Sequence, residues 1–189
     1  MNSWISKVFL MIIYGLWSSS LFSMEISNSK LEFQDYVEER DGDLIESIIK
    51  HDYASLISSS SGYRDGDGVQ VFKRLYDSSR KILSVDNVGC GFAIYFIAHN
   101  NLQKHLQDGD GVLALMGVHH DHRRKGYGAE LLSHVIDSFK AKNCTRVWLS
   151  VNEKNKAAQG LYSKFKFQNT QEKSWVGGQS YWWKLELKN

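Results

Sequence analysis

Proline does not occur in this 189-residue chain. No turn is therefore fixed by a pyrrolidine ring, and glycine, serine and Asp-Gly pairs must carry the reversals of direction. Cysteine is nearly as scarce, with only Cys90 and Cys144 present. Two thiols make no disulfide framework, and there is neither a Cys-x-x-Cys pair nor a zinc spacing. They read as small buried hydrophobes, or as one bridge should the domain meet an oxidising compartment. Excess charge is missing too. A formal net charge of +2 gives no electrostatic case for nucleic acid or for an anionic membrane. Asp-Gly-Asp recurs at 41–43, 65–67 and 108–110, but counting from Asp65 the fifth position is Val69, which has no side-chain oxygen for calcium. All three are read as turns.

Hydrophobic residues make up 42% of the chain, enough for a packed core rather than disorder. The length suits one domain with a short appendage. The appendage is residues 1–23, where Lys7 is the only charge and Val8–Trp17 is an unbroken apolar run followed by Ser18, Ser19 and Ser20. This is the layout of a secretory signal peptide, cut after Ser20 or Ser23. The run is shorter than the roughly 20 residues of a spanning helix. Taken as Trp4–Phe22 the segment reads instead as a membrane anchor, and Met24 offers a third reading as the true start. The folded domain is expected over 30–189.

Within it, Leu31–Val37 reads as a first strand. Asp43-x-x-Glu46 resembles a capping box, and opens a helix that turns Leu44, Ile45, Ile48, Ile49 and Tyr53 inward. A serine- and glycine-rich loop at 58–68 leads to a second short helix at 69–79. Lys81–Val88 and Gly91–His99 read as strands joined by a tight turn, and Val112–Val118 as a third buried strand. Leu131, Leu132, Val135, Ile136 and Phe139 then fall at the spacing of one helix face, predicting a helix over 126–142. Arg146–Val151 is the next strand, parallel to 112–118 by the strand–helix–strand order. Asn155 is a good N-cap for a further helix, and a hairpin is expected from Phe167, with Val176–Gly178 in its turn and Tyr181–Leu187 as its last strand.

The organising stretch lies between the third strand and the long helix: Val118-His-His-Asp-His-Arg-Arg-Lys-Gly-Tyr-Gly-Ala129. A basic, glycine-bearing strand-to-helix turn binds phosphate. Unsatisfied amides of the first helical turn point at the ligand, and the helix dipole favours negative charge. Gly126 and Gly128 permit close backbone approach, while Arg123, Arg124 and Lys125 add cationic donors. It is not a dinucleotide fingerprint, because position 131 is Leu rather than a third glycine. His119, His120 and His122 read as solvated loop histidines rather than metal ligands, and no metal is expected. The Arg123–Lys125 triplet has no second basic cluster or aromatic platform to make a nucleic-acid site.

Arg123-x-x-Gly126-x-Gly128 resembles the acyl-CoA pyrophosphate loop of the GNAT (Gcn5-related) N-acetyltransferases. A second segment, Asn155-x-x-Ala158-x-x-Leu161-Tyr162, followed by Phe165 and Phe167, resembles the same family's Asn-x-x-Ala-x-x-Leu-Tyr-x-x-x-Gly-Phe pattern. Lys166 stands where the family has Gly, which places the end of that helix in question. The resemblance runs from about Leu31 to Leu187 and is specific over 112–167. It implies a mixed α/β fold: a mostly antiparallel sheet of six to seven strands, splayed at a central parallel pair, with about four helices. It implies an acetyl-CoA-dependent N-acetyltransferase working by direct attack of a primary amine in a ternary complex, with no nucleophilic cysteine. The alternative is a non-catalytic acyl-CoA-binding or interaction module on the same fold.

Carried over by position, Arg123, Arg124, Lys125, Gly126, Tyr127, Gly128 and Ala129 would hold the diphosphate. Met116, Gly117 and Val118 would pair with the pantetheine arm and polarise the thioester. Asn155 would touch that arm or simply cap its helix. Tyr162 would protonate the departing thiolate, against a bland reading as a core tyrosine. Tyr53, Tyr63 and Arg64 fall in the region that covers the acceptor. The general base is not assigned: the position that carries a Glu in some members is Val112, and Asp110, Glu153 or relayed water are the alternatives. The acceptor, whether small molecule, peptide N-terminus or lysine, is not readable, nor is the oligomeric state. Location is undecided, since the leader points to export and acetyl-CoA is cytosolic.

Overall fold

A computed structural model describes residues 30–56, 78–99, 105–174 and 179–187, with 53–56 as backbone only. Seven strands form one sheet: β1 (Leu31–Asp35), β2 (Ser79–Val85), β3 (Val88–Ile97), β4 (Gly111–Val118), β5 (Arg146–Asn152), β6 (Gln168–Lys173) and β7 (Ser180–Glu186). Among the described residues there are three helices: α1 (Glu38–Leu56), α2 (Tyr127–Ala141) and α3 (Lys156–Lys164). The strand order is β1-β2-β3-β4-β5-β7-β6. Every pairing is antiparallel except β4 with β5. The mixed α/β class, the mostly antiparallel sheet and its single parallel pair are as expected. The proposed leader, the loop containing Tyr63 and Arg64, the Asp65–Asp67 turn and the Val176–Gly178 turn lie outside the described residues. So does the helix expected at 69–79, apart from Ser78 and Ser79, and Ser79 already belongs to β2. No helix among the described residues is long and apolar enough to cross a membrane.

Two local readings are corrected. Helix α1 starts at Glu38, not Asp43, so Asp41-Gly42-Asp43 is a helical turn rather than a loop. Asp41 is the cause: its buried carboxylate accepts from the Val37 amide at 2.8 Å and is gripped by the Arg40 guanidinium. Acidic Glu38, Glu39 and Asp41 in the first turn suit the helix dipole. The β2–β3 turn is also earlier than expected. It consists of Asp86 and Asn87, both left-handed at φ 51° and 68°. That is the backbone of a two-residue hairpin turn, and Asp and Asn tolerate it best among residues other than glycine.

The sheet is covered on both faces. Ile45, Ile48 and Ile49 of α1 bury completely against Ile82, Phe92 and Ile94. On the opposite face the predicted stripe of α2, Leu131, Leu132, Val135, Ile136 and Phe139, packs onto Leu83, Ala93, Leu113, Val147 and Leu149. Each such side chain contributes roughly 2 kcal/mol of burial. Cys90 and Cys144 are buried and unbridged, and burial pushes the Cys90 thiol up to about 11. That suits a small hydrophobe rather than a nucleophile.

His134 on α2 stacks on Phe33 with ring centroids 3.9 Å apart, and its buried Nε2 has no hydrogen-bond partner among the described residues. Burial, aided by the Lys81 charge, holds it below the ordinary imidazole value, while Asp137 opposes weakly. Below about pH 6.5 the unfolded chain therefore takes up a proton that the folded chain resists, so stability falls as the medium is acidified. Urea unfolding at pH 7 and pH 5 should give a smaller loss for His134→Phe than for the parent chain. An equal loss would remove His134 from the account.

Candidate active site

The parallel pair is where the sheet opens. β4 and β5 match only over Gly111–Leu113 and Val147–Leu149, after which β4 runs on without this partner to Val118. The cause lies in the register of β4 with β3. Ile94 pairs with Leu115 and Tyr95 with Leu113, so Ala114 is an extra residue opposite no partner. Such a bulge bends and twists its strand, and this one falls where the β5 pairing stops. Past it the ladder is regular, and the His119 amide donates to the Cys90 carbonyl at 2.8 Å. By alternation Gly117, opposite Phe92, also faces β3, while the backbone groups of Met116 and Val118 turn into the gap. Gly117 has a second task. A Cβ there would lie 2.6 Å from Ile48 Cγ2 and 3.0 Å from Phe92, so its bare Cα is what lets α1 lie on the strand.

The gap leads to the phosphate-type turn. His120–His122 form a short 3-10 turn, and Gly126, left-handed at φ 90°, is the N-cap of α2 with no side-chain cap. Arg124 is left-handed as well, at φ 60°. Left-handed residues in such a turn curve successive amides into a concave donor array. The Ala129 and Glu130 amides bond to the Gly126 carbonyl at 2.8 and 3.2 Å. The five amides from Arg124 to Gly128 have no acceptor among the described residues. Arg124 and Lys125 are exposed and form no ion pair among those residues. Arg123 is different: its Nε donates to the Val118 carbonyl at 3.1 Å and its Nη2 pairs with Asp52 of α1. Two of the three cations therefore face outward, while the third ties the turn to α1.

Helix α3 closes the other side. Asn155 Oδ1 accepts from the Ala158 amide at 3.0 Å, the capping bond expected of it. Leu161 Cδ2 would stand 3.4 Å from a Cβ on Gly128, and Val118 Cγ2 3.9 Å, so α3, β4 and the start of α2 meet at that glycine. Tyr162, 8% exposed, packs in the cluster that Met116 and Val118 adjoin. Its ring lies 5.8 Å from that of Phe167, and burial pushes its phenol up to about 12. The hydroxyl has no hydrogen-bond partner among the described residues, and it is not sealed from solvent.

The departure at Lys166 does not disturb this helix. Lys166 takes the left-handed conformation at φ 70°, its amide bonds to the Ser163 carbonyl, and the Phe167 amide bonds to the Tyr162 carbonyl, each at 3.0 Å. That is a Schellman ending, with the Tyr162–Phe167 contact across it. A non-glycine residue there costs about 1 kcal/mol. Lys166→Gly should therefore raise the melting temperature by roughly 2–4 °C. A lower melting temperature in calorimetry would refute the strain.

The candidates for a base separate. Val112 is buried in an apolar cluster with Trp148 and Trp182. Asp110 is also buried, and its carboxylate accepts from Arg146, Trp148 Nε1 and the Gln107 amide. It precedes β4, at the opposite end of the strand from the gap. Glu153 follows β5 at the open end, half-buried, with its amide on Gln179 and its carbonyl on Gln159. Asp52, the partner of Arg123, carried no signal in the sequence. Ser47 and His51 lie four residues apart on the same face of α1, but nothing in the chain pointed to their partners. The side chain of Tyr53 lies outside the described set.

A model of the acetyltransferase (GNAT) family matches residues 36–167. No curated protein matches the chain. Among solved structures it resembles the ribosomal-protein-S18-alanine N-acetyltransferase of Escherichia coli, with TM-score 0.59 and 16% identity over 83% of this chain and 94% of that one. It also resembles yncA of Salmonella typhimurium, solved with its cofactor acetyl-CoA, with TM-score 0.64 and 17% identity over 84% and 94%. A third likeness is to Ard1 of Thermoplasma volcanium, with TM-score 0.63 and 16% identity over 84% and 99%. At these identities the likeness is one of fold.

Proposed function

The chain belongs to the acetyltransferase (GNAT) family, and from that premise we propose that it moves an acetyl group from acetyl-CoA to a primary amine. The observation that carries the cofactor is the run of five amides, Arg124–Gly128, without an acceptor among the described residues, beside the exposed side chains of Arg124 and Lys125. A diphosphate needs several donors at once and a positive field, and this turn offers both. The pantetheine arm would lie in the gap beside β4, along the backbone of Met116 and Val118. The Val118 amide faces that gap and could polarise the thioester carbonyl. Tyr127 contributes one amide of the array and Ala129 follows it, and Asn155 stands at the opposite wall.

In the reaction the amine nitrogen bonds to the thioester carbon and the carbon–sulfur bond breaks. The amine proton leaves through water or Glu153, and the Tyr162 hydroxyl donates to the sulfur as it takes up charge. The yncA structure, which holds acetyl-CoA on the same fold, supports this choice of acyl donor. Tyr63, Arg64 and the side chain of Tyr53, the residues expected to cover the acceptor, lie outside the described set, so the amine is left as a class. The test is thiol release from acetyl-CoA across a panel of small amines, lysine peptides and free peptide N-termini, run beside calorimetric titration of CoA. Release with at least one class is expected. Absence of both release and CoA binding refutes the proposal. Binding without release on any acceptor would favour the non-catalytic module.

A further inference from the structure

We propose that His119, His120 and Asp121 form a site for a borderline divalent transition metal, Zn2+ above all, at the seam between α1 and the turn that opens α2. Neighbouring histidines in a loop usually point apart into solvent, which is how the sequence reads. Here they do not: the two rings lie with centroids 4.1 Å apart. One donor atom from each of His119, His120 and Asp121 falls within 4.8 Å of the others. Around a tetrahedral ion with ligand bonds near 2.1 Å, donor atoms sit about 3.4 Å apart. His120 Nε2 is already 3.5 Å from Asp121 Oδ1, and His119 Nδ1 is 3.8 Å from Asp121 Oδ2. These two distances go to different oxygens of the carboxylate, and side-chain rotations within the 4.8 Å spread would bring one oxygen and the two nitrogens to that spacing.

The imidazoles are also oriented from outside, as metal-binding histidines are. His119 Nε2 is hydrogen-bonded to Ser47 Oγ of α1 at 3.0 Å, which leaves Nδ1 turned toward Asp121. Nδ1 accepts only a weak bond there, from the Asp121 amide at 3.4 Å, and an ion would replace it. His51, one turn further along α1, lies flat on His120 with centroids 4.8 Å apart and an angle of 11°. Its Nδ1 is held by the Asp52 carboxylate at 3.0 Å, leaving Nε2 as an additional donor within a side-chain rotation. Two imidazole nitrogens and one carboxylate oxygen, with water or His51 completing the shell, suit Zn2+, Co2+ or Ni2+ rather than calcium or magnesium. His122 is not in the set. Its ring stands edge-on to His119 at 5.9 Å and near Tyr127. The site does not depend on acyl transfer, and its test does not use it.

The experiment is calorimetric titration of the untagged full chain with Zn2+, together with Co2+ loading followed by visible absorption. One equivalent is expected to bind. His120→Ala and Asp121→Asn change exposed side chains, and each should weaken binding at least tenfold. Ser47→Ala touches no ion and should still weaken it about tenfold, the usual effect of losing an orienting partner. His122→Ala should leave it unchanged. Binding below stoichiometry overturns the proposal. So does full affinity in both His120→Ala and Asp121→Asn, or a loss in His122→Ala equal to theirs.

Discussion

Tyr162→Phe is expected to lower kcat on any accepted amine by about 10²–10³-fold, the effect of removing one preorganised donor from a developing anion, while leaving the dissociation constant of CoA unchanged. The fold should survive, since phenylalanine fills the same volume and the hydroxyl has no bond to lose among the described residues. The size of the effect rests on where the donor sits. Burial pushes the phenol up to about 12, so it keeps its proton at every working pH. The same shift limits what it does with that proton. Complete transfer to a thiolate of ordinary thiol pKa, near 8.5, is uphill by about 3.5 units, or roughly 5 kcal/mol. Tyr162 is therefore better suited to stabilise the emerging thiolate by a charge-assisted hydrogen bond, with transfer completed as the amine gives up its own proton. It follows that the pH–rate profile should show no basic limb from this group below about pH 10. Unchanged turnover in Tyr162→Phe would make Tyr162 a core tyrosine with no part in the chemistry.

The architecture was legible because its largest signals are periodic. The stripe from Leu131 to Phe139, the apolar run of β4 and the Asn155 cap each follow from spacing or from one side chain, and all three appear in the structure. What misled were residues whose role is set by a neighbour in space. Asp41-Gly42-Asp43 has the composition of a turn, yet the Asp41 carboxylate caps the start of α1 and carries the helix through the glycine. Asp108-Gly109-Asp110 is a turn, as expected, but Asp110 is also the buried anchor of Arg146, from 36 residues further on. The opening of the sheet was expected only from the family resemblance. Its physical cause, the extra residue at Ala114, leaves no mark in the composition of β4. In the candidate site the amides of Arg124–Gly128 could be inferred from a strand-to-helix turn with glycines. That Asp52 would engage Arg123 could not, because 71 residues separate them.

Asp110→Asn should destabilise the domain by about 3 kcal/mol, enough to lower the melting temperature by roughly 6–12 °C in a chain of this size. Asp110 is 1% exposed and its carboxylate takes four hydrogen bonds, two from Arg146 and one each from Trp148 Nε1 and the Gln107 amide. Breaking a buried ion pair from one side commonly costs 3–5 kcal/mol, because the other charge is left behind. The lower figure applies because the Arg146 side chain keeps 21% of its surface exposed and can recover some hydration. The amide of asparagine also presents two hydrogens where the oxygen Oδ2 or Oδ1 now accepts, so at least one of these donors loses its acceptor. Arg146→Met should cost at least as much, since it leaves the more deeply buried carboxylate without a counter-charge, with only Trp148 and Gln107 still donating to it. The double variant should cost less than the sum of the two, which marks the pair as coupled. The network sits at the closed end of the β4–β5 pair, where Gly111–Leu113 still match Val147–Leu149. It thus fixes the base from which the two strands diverge. If the strands are held there, catalytic residues at the open end need not move, and kcat per folded molecule should change little in Asp110→Asn below its melting transition. A collapse of kcat without a loss of stability would instead give Asp110 a part in the chemistry and overturn its assignment as a structural anchor.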